Sequence, residues 1–177
     1  MTEAPLSFHV VAIPLASELR SSLHRIDFSD AYEVSLRKSG QSVEQAYWAV
    51  FGFEPIWVRW LMNLRGHIAI QLGLTHHRNV PAIPQGVVPI FEIGARVGPF
   101  KVQSTSLNEL IVGNDDKHLN FRISALKSER AGQIFLTIST AVEIHNNLGR
   151  AYMFVVKPFH RFIAPFMVRR AARLGRL

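Results

Sequence analysis

The stretch from Leu107 to Pro165 constrains the fold more than any other part of the chain. Its first part alternates apolar and polar residues through three successive segments, which is the pattern of half-buried strands in an antiparallel sheet. A long basic segment with apolar residues three and four apart follows, and this spacing predicts an amphipathic helix. Strands joined by short turns and followed by a helix predict a two-layer α+β domain.

The three segments are expected at 108–113, 119–125 and 133–145, with tight turns at 114–117 and 127–132. Centring the first turn between its two aspartates gives three cross-strand pairs: Leu110 with Phe121, Val112 with Leu119, and Glu109 with Arg122. One face of the sheet becomes apolar and the other polar. The polar face is interpreted as the solvent face, with a polar pocket floor as the alternative.

The final helix is predicted to begin after Asn146, whose side chain can cap it. Its apolar stripe is expected to pack on the sheet: Leu148, Tyr152, Val155, Phe159, Phe162 and Phe166. Pro158 and Pro165 should kink this helix, because each removes a backbone donor and crowds the preceding turn.

The first half of the chain is predicted to hold one strand at 32–36, two short helices and two further strands at 90–97 and 100–105. Ser42 and Gln45 form a capping-box pattern before the first helix. The second helix should begin at 54–55 and end near Gly66. Residues 15–23 have helical spacing, the structure of 1–29 stays open, and 75–89 reads as a long loop.

Length and composition bound the organisation and exclude several kinds of site. A chain of 177 residues that is 48% hydrophobic can bury one core, so we expect 1–177 to be a single domain. The absence of cysteine excludes disulfides and thiolate sites and favours a cytoplasmic location. The N-terminus lacks the pattern of a signal peptide, and prolines and charges in 151–168 exclude a bilayer span.

Positive charge is concentrated at the C-terminal end. From Ile144 onward there are seven arginine and lysine residues and no acidic residue. Such a helix can meet an anionic membrane surface, but a membrane interaction also needs an exposed apolar face, which we expect to be committed to the core. Nucleic acid is not an expected partner, because aromatic platforms and a groove-reading helix are not recognisable.

Residues 108–124 (NELIVGNDDKHLNFRIS) and 140–165 (TAVEIHNNLGRAYMFVVKPFHRFIAP) resemble an uncharacterised bacterial family, domain-of-unknown-function family twenty-eight sixty-seven. Residues 51–66, with Pro55, Trp57, Leu61, Met62 and Arg65, are similar to the helical segment of that family. The family is placed among START-like, helix-grip domains. The resemblance implies a curved antiparallel sheet wrapped around the C-terminal helix, with a cavity of the kind that takes sterols, lipids, aromatics or polyketides.

Three functional hypotheses follow. The first is a non-enzymatic module that binds a small apolar or amphipathic molecule between sheet and helix. Its predicted ligand contacts are Trp57, Trp60, Phe121, Arg150, Tyr152 and Phe159. Arg150 can clamp an anionic group or simply pack its stem while pairing with a nearby acid. The second hypothesis is that the protein interacts with an anionic surface through its basic helix.

The third hypothesis is that the protein is an enzyme of cyclase, dehydratase or hydrolase type on the same scaffold. Its candidate catalytic residues are His145, His118, Glu143 and Arg122. Asp115 and Asp116 are interpreted as turn residues rather than metal ligands, and the adjacent His76 and His77 are poorly placed to share one metal. The sequence carries no phosphate loop, nucleophile elbow or zinc helix, so neither a metal nor a cofactor is expected.

Overall fold

The computed structural model describes residues 7–38, 40–71 and 88–177. In these ranges seven strands form one antiparallel sheet, accompanied by three α-helices and one short 3-10 helix. The strands are β1 (Phe8–Val11), β2 (Phe28–Ser35), β3 (Arg96–Val97), β4 (Phe100–Thr105), β5 (Glu109–Asp115), β6 (Leu119–Arg130) and β7 (Gln133–Ile144). The helices are α1 (Val43–Phe51), α2 (Ile56–Gln71) and α3 (Asn147–Arg173), and the 3-10 helix is Glu18–Ser21.

The strands lie in the order β1-β2-β7-β6-β5-β4-β3, so a five-strand meander from β3 to β7 is extended by β2 and β1. The sheet is curved, and its concave face holds the main core. There, residues of the sheet such as Leu110, Leu136 and Ile138 pack against α1 and against the C-terminal half of α3. The predicted α+β class, with a curved antiparallel sheet and a long C-terminal helix, is confirmed.

Local signals in the sequence account for the N-terminal ends of two helices. Ser42 Oγ accepts from the Gln45 amide at 3.2 Å, and Gln45 Oε1 accepts from the Ser42 amide at 3.0 Å, so the capping box forms as predicted. Asn146 caps α3 by accepting from the Gly149 amide at 3.1 Å. The second helix does not end at Gly66, which is buried, but continues to Gln71.

The predicted β5–β6 pairing is wrong by four residues. Leu110 lies opposite Ala125, Val112 opposite Ile123, and Glu109 opposite Leu126. Asp115 remains in β5, and the turn instead uses the Asp116 carboxylate, which accepts from the His118 amide at 3.1 Å. Because the shift is even, the same side chains still share a face, and the apolar face was assigned correctly.

Two further strand predictions need correction. The expected strand at 90–97 is reduced to Arg96–Val97, because a turn at 92–95 with Gly94 at φ 89° interrupts it. The first predicted strand, 32–36, starts four residues late and ends one residue late relative to β2, and an additional edge strand, β1, precedes it. The predicted 75–89 loop, including His76 and His77, falls almost entirely outside the described residues.

The polar face of the sheet is not a solvent face. The segment from Ile13 to Ile26, which includes the 3-10 helix, covers it and packs Leu19 and Leu23 on Ile111 and Ala141. Several polar residues of this convex face are therefore buried: Glu33, Glu109, Arg122, Ser124, Thr137, Ser139 and Glu143.

The apolar stripe predicted to bury α3 is only partly correct. Tyr152 is buried, but Val155, Phe159 and Phe162 are exposed. The buried side of α3 instead consists mostly of small residues and methionines: Gly149, Met153, Ala164, Met167, Val168, Ala171 and Ala172. The helix also runs without interruption through Pro158 and Pro165.

Candidate ligand-binding site

A half-buried arginine occupies the space between the sheet and the two long helices. Arg65 lies on α2, and its Nε donates to the hydroxyl of Tyr152 on α3 at 2.7 Å. Its guanidinium carbon lies 5.9 Å from the centre of the Tyr152 ring and 6.0 Å from the Phe121 ring of β6. These contacts orient a cation among aromatic groups, at a distance where cation–π attraction operates.

The surroundings of Arg65 are aromatic and apolar. The Phe100 and Phe121 rings meet edge to face at 5.4 Å, and Tyr152 is only 4% exposed. Tyr152 also belongs to a cluster with four other buried side chains: Phe28, Leu119, Val142 and Met153. A rigid aromatic wall of this kind suits the apolar part of a ligand.

The charge of Arg65 is not balanced by a carboxylate within the described part of the chain, where Tyr152 is its hydrogen-bond partner. A guanidinium has five N–H donors, and the bond to Tyr152 uses only the one on Nε. The two terminal nitrogens of a guanidinium can bind two oxygens of one anionic group. Arg65 is therefore a candidate anchor for a carboxylate, sulfonate or phosphate.

The helix pair extends the site away from Arg65. At the other end of α2, the Trp57 ring lies 4.9 Å from the Phe166 ring and 6.0 Å from the Phe162 ring of α3. Because Arg65 contacts Tyr152 earlier in α3, the two helices run antiparallel. At 1.5 Å per residue, about 12 Å of helix separates Trp57 from Arg65.

The predicted ligand contacts do not all lie in one place. Phe121 and Tyr152 meet at Arg65, whereas Trp57 lies at the far end of α2. Trp60 is 63% exposed and Phe159 is 49% exposed, so both lie on the outer side of the helix pair. Arg150 is exposed in the first turn of α3, where it donates to the Asn147 side chain at 2.9 Å.

The candidate catalytic residues lie in different surroundings. His118 sits in the β5–β6 turn with Nδ1 3.1 Å from Asn146 Oδ1, while His145 is exposed just before α3. Glu143 is buried on the convex face, on the opposite side of the sheet from Arg65. Arg122 is also on the convex face and pairs with Asp115 at 2.7 Å, rather than with Glu109 as the predicted register implied.

A buried carboxylate on the convex face was not recognised as such from the sequence. Glu109 accepts from Ser17 Oγ and Ser124 Oγ, each at 2.5 Å, and from the Glu18 amide at 2.8 Å. The first and last of these donors belong to the covering N-terminal segment. Glu109 therefore attaches that segment to the sheet.

A second carboxylate joins the sheet to α3. The Asp30 carboxylate lies 3.2 Å from His160 Nε2 and accepts from the Tyr32 hydroxyl at 3.3 Å. Burial and the neighbouring Asp30 charge raise the pKa of Tyr32 to about 12. Sequence reasoning placed His160 on the helix but did not identify this contact, because β2 and α3 are far apart along the chain.

The sequence did contain a signal for Arg65. It falls seven residues after Val58, on the buried side of α2, and a basic residue at such a position is unusual.

Within the described ranges, no three histidine, aspartate or glutamate side chains lie close enough together to hold a metal ion. The helices in those ranges lack the length and apolar character needed to cross a membrane.

Comparisons with known proteins identify the family but not an activity. The chain is similar to the crystal structure of CalU16 from Micromonospora echinospora, with a TM-score of 0.29 and 12% identity, over 97% of this chain and 92% of that one. No curated protein matches the sequence. Residues 22–167 match the family described as "Protein of unknown function (DUF2867)", as the resemblance had implied, and the chain belongs to that family.

Proposed function

We propose that this protein binds a small amphipathic molecule with an anionic head group, held between the curved sheet and the α2–α3 pair. The observation that carries the proposal is the half-buried Arg65 guanidinium, oriented by Tyr152 beside Phe121 and without a carboxylate partner in the described residues. In this account the protein acts as a binding module rather than an enzyme. The START-like resemblance supports the same function.

The partly desolvated charge of Arg65 favours the binding of an anion. A cation that is removed from water loses hydration free energy unless hydrogen bonds or an opposite charge replace it. The bond to Tyr152 replaces part of that hydration, and two charge-assisted bonds to a bound anion would replace more. The head group therefore belongs at Arg65, and the apolar part of the molecule contacts Phe100 and Phe121.

The separation of Arg65 and Trp57 along α2 gives an expected length for the ligand. A molecule that contacts both Arg65 and Trp57 spans about 12 Å along α2. A fatty acid or an aromatic acid with an extended side chain has this shape. The predicted contacts Trp60, Phe159 and Arg150 are not required for binding at Arg65, because they lie on the outer surface.

The test uses two amphiphiles that differ in head-group charge. Dodecanoate and dodecyltrimethylammonium, both below their micelle concentrations, are titrated into the protein and followed by calorimetry. Wild type should bind dodecanoate, and Arg65→Met should bind it roughly 10- to 100-fold more weakly, as the loss of a charged hydrogen bond implies. Arg59→Met is the matched control, because Arg59 is exposed on the same helix.

Thermal unfolding of each variant separates binding from folding. The proposal requires Arg65→Met to remain folded while dodecanoate affinity falls, with Arg59→Met and Arg150→Ala close to wild type. Equal binding of both amphiphiles, or undiminished binding by folded Arg65→Met, would show that Arg65 does not hold the head group.

A further inference from the structure

The outer side of the α2–α3 pair carries an exposed apolar surface, which we call the outer helix face. It consists of Trp60 and Leu64 from α2 with Val155, Phe159 and Phe162 from α3. Trp60 and Phe162 are each 63% exposed. Large aromatic groups that cluster on a surface, rather than lying singly, are typical of an interaction site.

Basic residues border this surface. An open depression of about 580 Å³ runs along the C-terminal half of α3, and Arg161, Arg169, Arg170 and Arg173 line it together with Phe162 and Phe166. Arg161, Arg169 and Arg173 are exposed to solvent. Arginines beside exposed phenylalanines form an amphipathic surface with a positive polar part.

The two helices contain no acidic residue. Their cationic residues are Arg59, Arg65, Arg150, Lys157, Arg161, Arg169, Arg170 and Arg173. Among the described residues, the ion pairs of the protein lie elsewhere, apart from the contact of His160 with Asp30. In the part of the chain that the structure describes, the arginines of these helices make no ion pair, so the outer helix face keeps a positive field.

We propose that the outer helix face docks on the surface of an anionic phospholipid bilayer. The aromatic side chains enter the interfacial region, and the arginines contact lipid phosphates. A second copy of this chain fits less well, because two such faces would bring positive charges against each other. Nucleic acid fits less well too, because it offers phosphates but no apolar phase for Trp60, Phe159 and Phe162.

This inference is independent of the proposed amphiphile site. Arg65 points toward Tyr152 and Phe121 on the sheet side of α2, whereas Trp60 and Phe162 face outward. Variants at the two places can therefore fail separately. The sequence had indicated a membrane interaction only if an apolar face stayed free, and the structure shows that it does.

The experiment is flotation of the full chain with vesicles of equimolar phosphatidylglycerol and phosphatidylcholine, compared with vesicles of phosphatidylcholine alone. Binding should be strong to the anionic vesicles, weak to the neutral ones and reduced by high salt. Tryptophan emission should shift to shorter wavelength with the anionic vesicles, and the shift should shrink in Trp60→Ala.

Substitutions at exposed positions, which should not unfold the protein, test the charge and apolar contributions to vesicle binding. Arg173→Glu should lower partitioning by roughly tenfold or more, since each basic residue near an anionic surface contributes about a fivefold factor. Arg20→Glu is the matched control, because Arg20 is exposed on the 3-10 helix, which covers the convex side of the sheet. Phe162→Ser should also weaken binding, with unchanged thermal unfolding.

Four outcomes would overturn the proposal. The first is binding to neutral and anionic vesicles alike, and the second is an equal loss in Arg20→Glu and Arg173→Glu. The third is binding to duplex DNA as strong as to anionic vesicles and insensitive to Phe162→Ser, which would indicate charge attraction alone. Dimerisation that buries Trp60 in the absence of vesicles would instead assign the face to a second copy.

Discussion

Replacing Glu109 by alanine should destabilise the protein strongly, because this carboxylate is 3% exposed and accepts three hydrogen bonds. A hydrogen bond to a charged group contributes about 1.5–3 kcal/mol, and neighbouring bonds do not add fully. Since the variant also escapes the cost of burying a carboxylate, we expect a loss of roughly 3–5 kcal/mol in the free energy of unfolding. Glu109→Gln keeps one acceptor oxygen and should lose less.

Urea unfolding followed by circular dichroism gives these free energies, and the slope with denaturant shows whether the variants unfold as wild type does. Glu129→Ala is the control, because Glu129 is exposed on β6 and should change stability by less than about 0.5 kcal/mol. Limited proteolysis should also cleave the N-terminal segment of Glu109→Ala faster. A loss below about 1 kcal/mol with an unchanged slope would refute the view that Glu109 holds this segment.

Three other predictions follow from single contacts. Gly149→Ala should lower the free energy of unfolding by about 1–3 kcal/mol, because an added Cβ would lie 2.2 Å from the His118 carbonyl oxygen, and wild-type stability in a urea titration would contradict this. Asn146→Ala should cost about 0.5–2 kcal/mol in thermal unfolding by removing the α3 cap, and an unchanged midpoint would argue against the cap. Because the pKa of Tyr32 is raised from 10.0 to about 12, its contribution to stability should be lost as pH rises through that range. Tyr32→Phe should flatten this pH dependence, whereas a curve parallel to wild type would show that Tyr32 is not its source.

The sequence was sufficient for features that depend on neighbouring residues. The capping box of Ser42 and Gln45 and the Asn146 cap use side chains that bond to backbone groups three residues away, so a short segment contains all the information. The alternation in β5, β6 and β7 assigned each side chain to the correct face. It could not set the β5–β6 register, because a shift of four residues leaves every face unchanged.

Features that depend on distant segments were not predictable in the same way. The polar side chains around Glu109 indicated a face, but nothing in β5 or β6 shows that Ser17 and Leu19 cover it. On α3, apolar periodicity favoured large residues such as Phe159 and Phe162. The helix instead turns residues such as Gly149 and Ala171 to the sheet, because small side chains allow close approach of the backbones.

The candidate site was predictable in part for the same reason. Phe121 and Tyr152 were expected to contact a ligand, and the structure brings them together at Arg65. The role proposed for Arg65 depends on the packing of α2 against α3, which periodicity alone does not give. Trp60 and Phe159 lie outside, where they support the proposed membrane contact rather than the amphiphile site.

The most direct test of the proposed amphiphile site is an NMR titration of isotope-labelled protein with dodecanoate, with dodecyltrimethylammonium as the control. We predict that dodecanoate will cause its largest chemical-shift changes at Arg65, Phe121 and Tyr152, and that these changes will be lost in Arg65→Met. Changes confined to residues away from these three, or identical changes with the cationic amphiphile, would contradict the assignment of an anionic head group to Arg65.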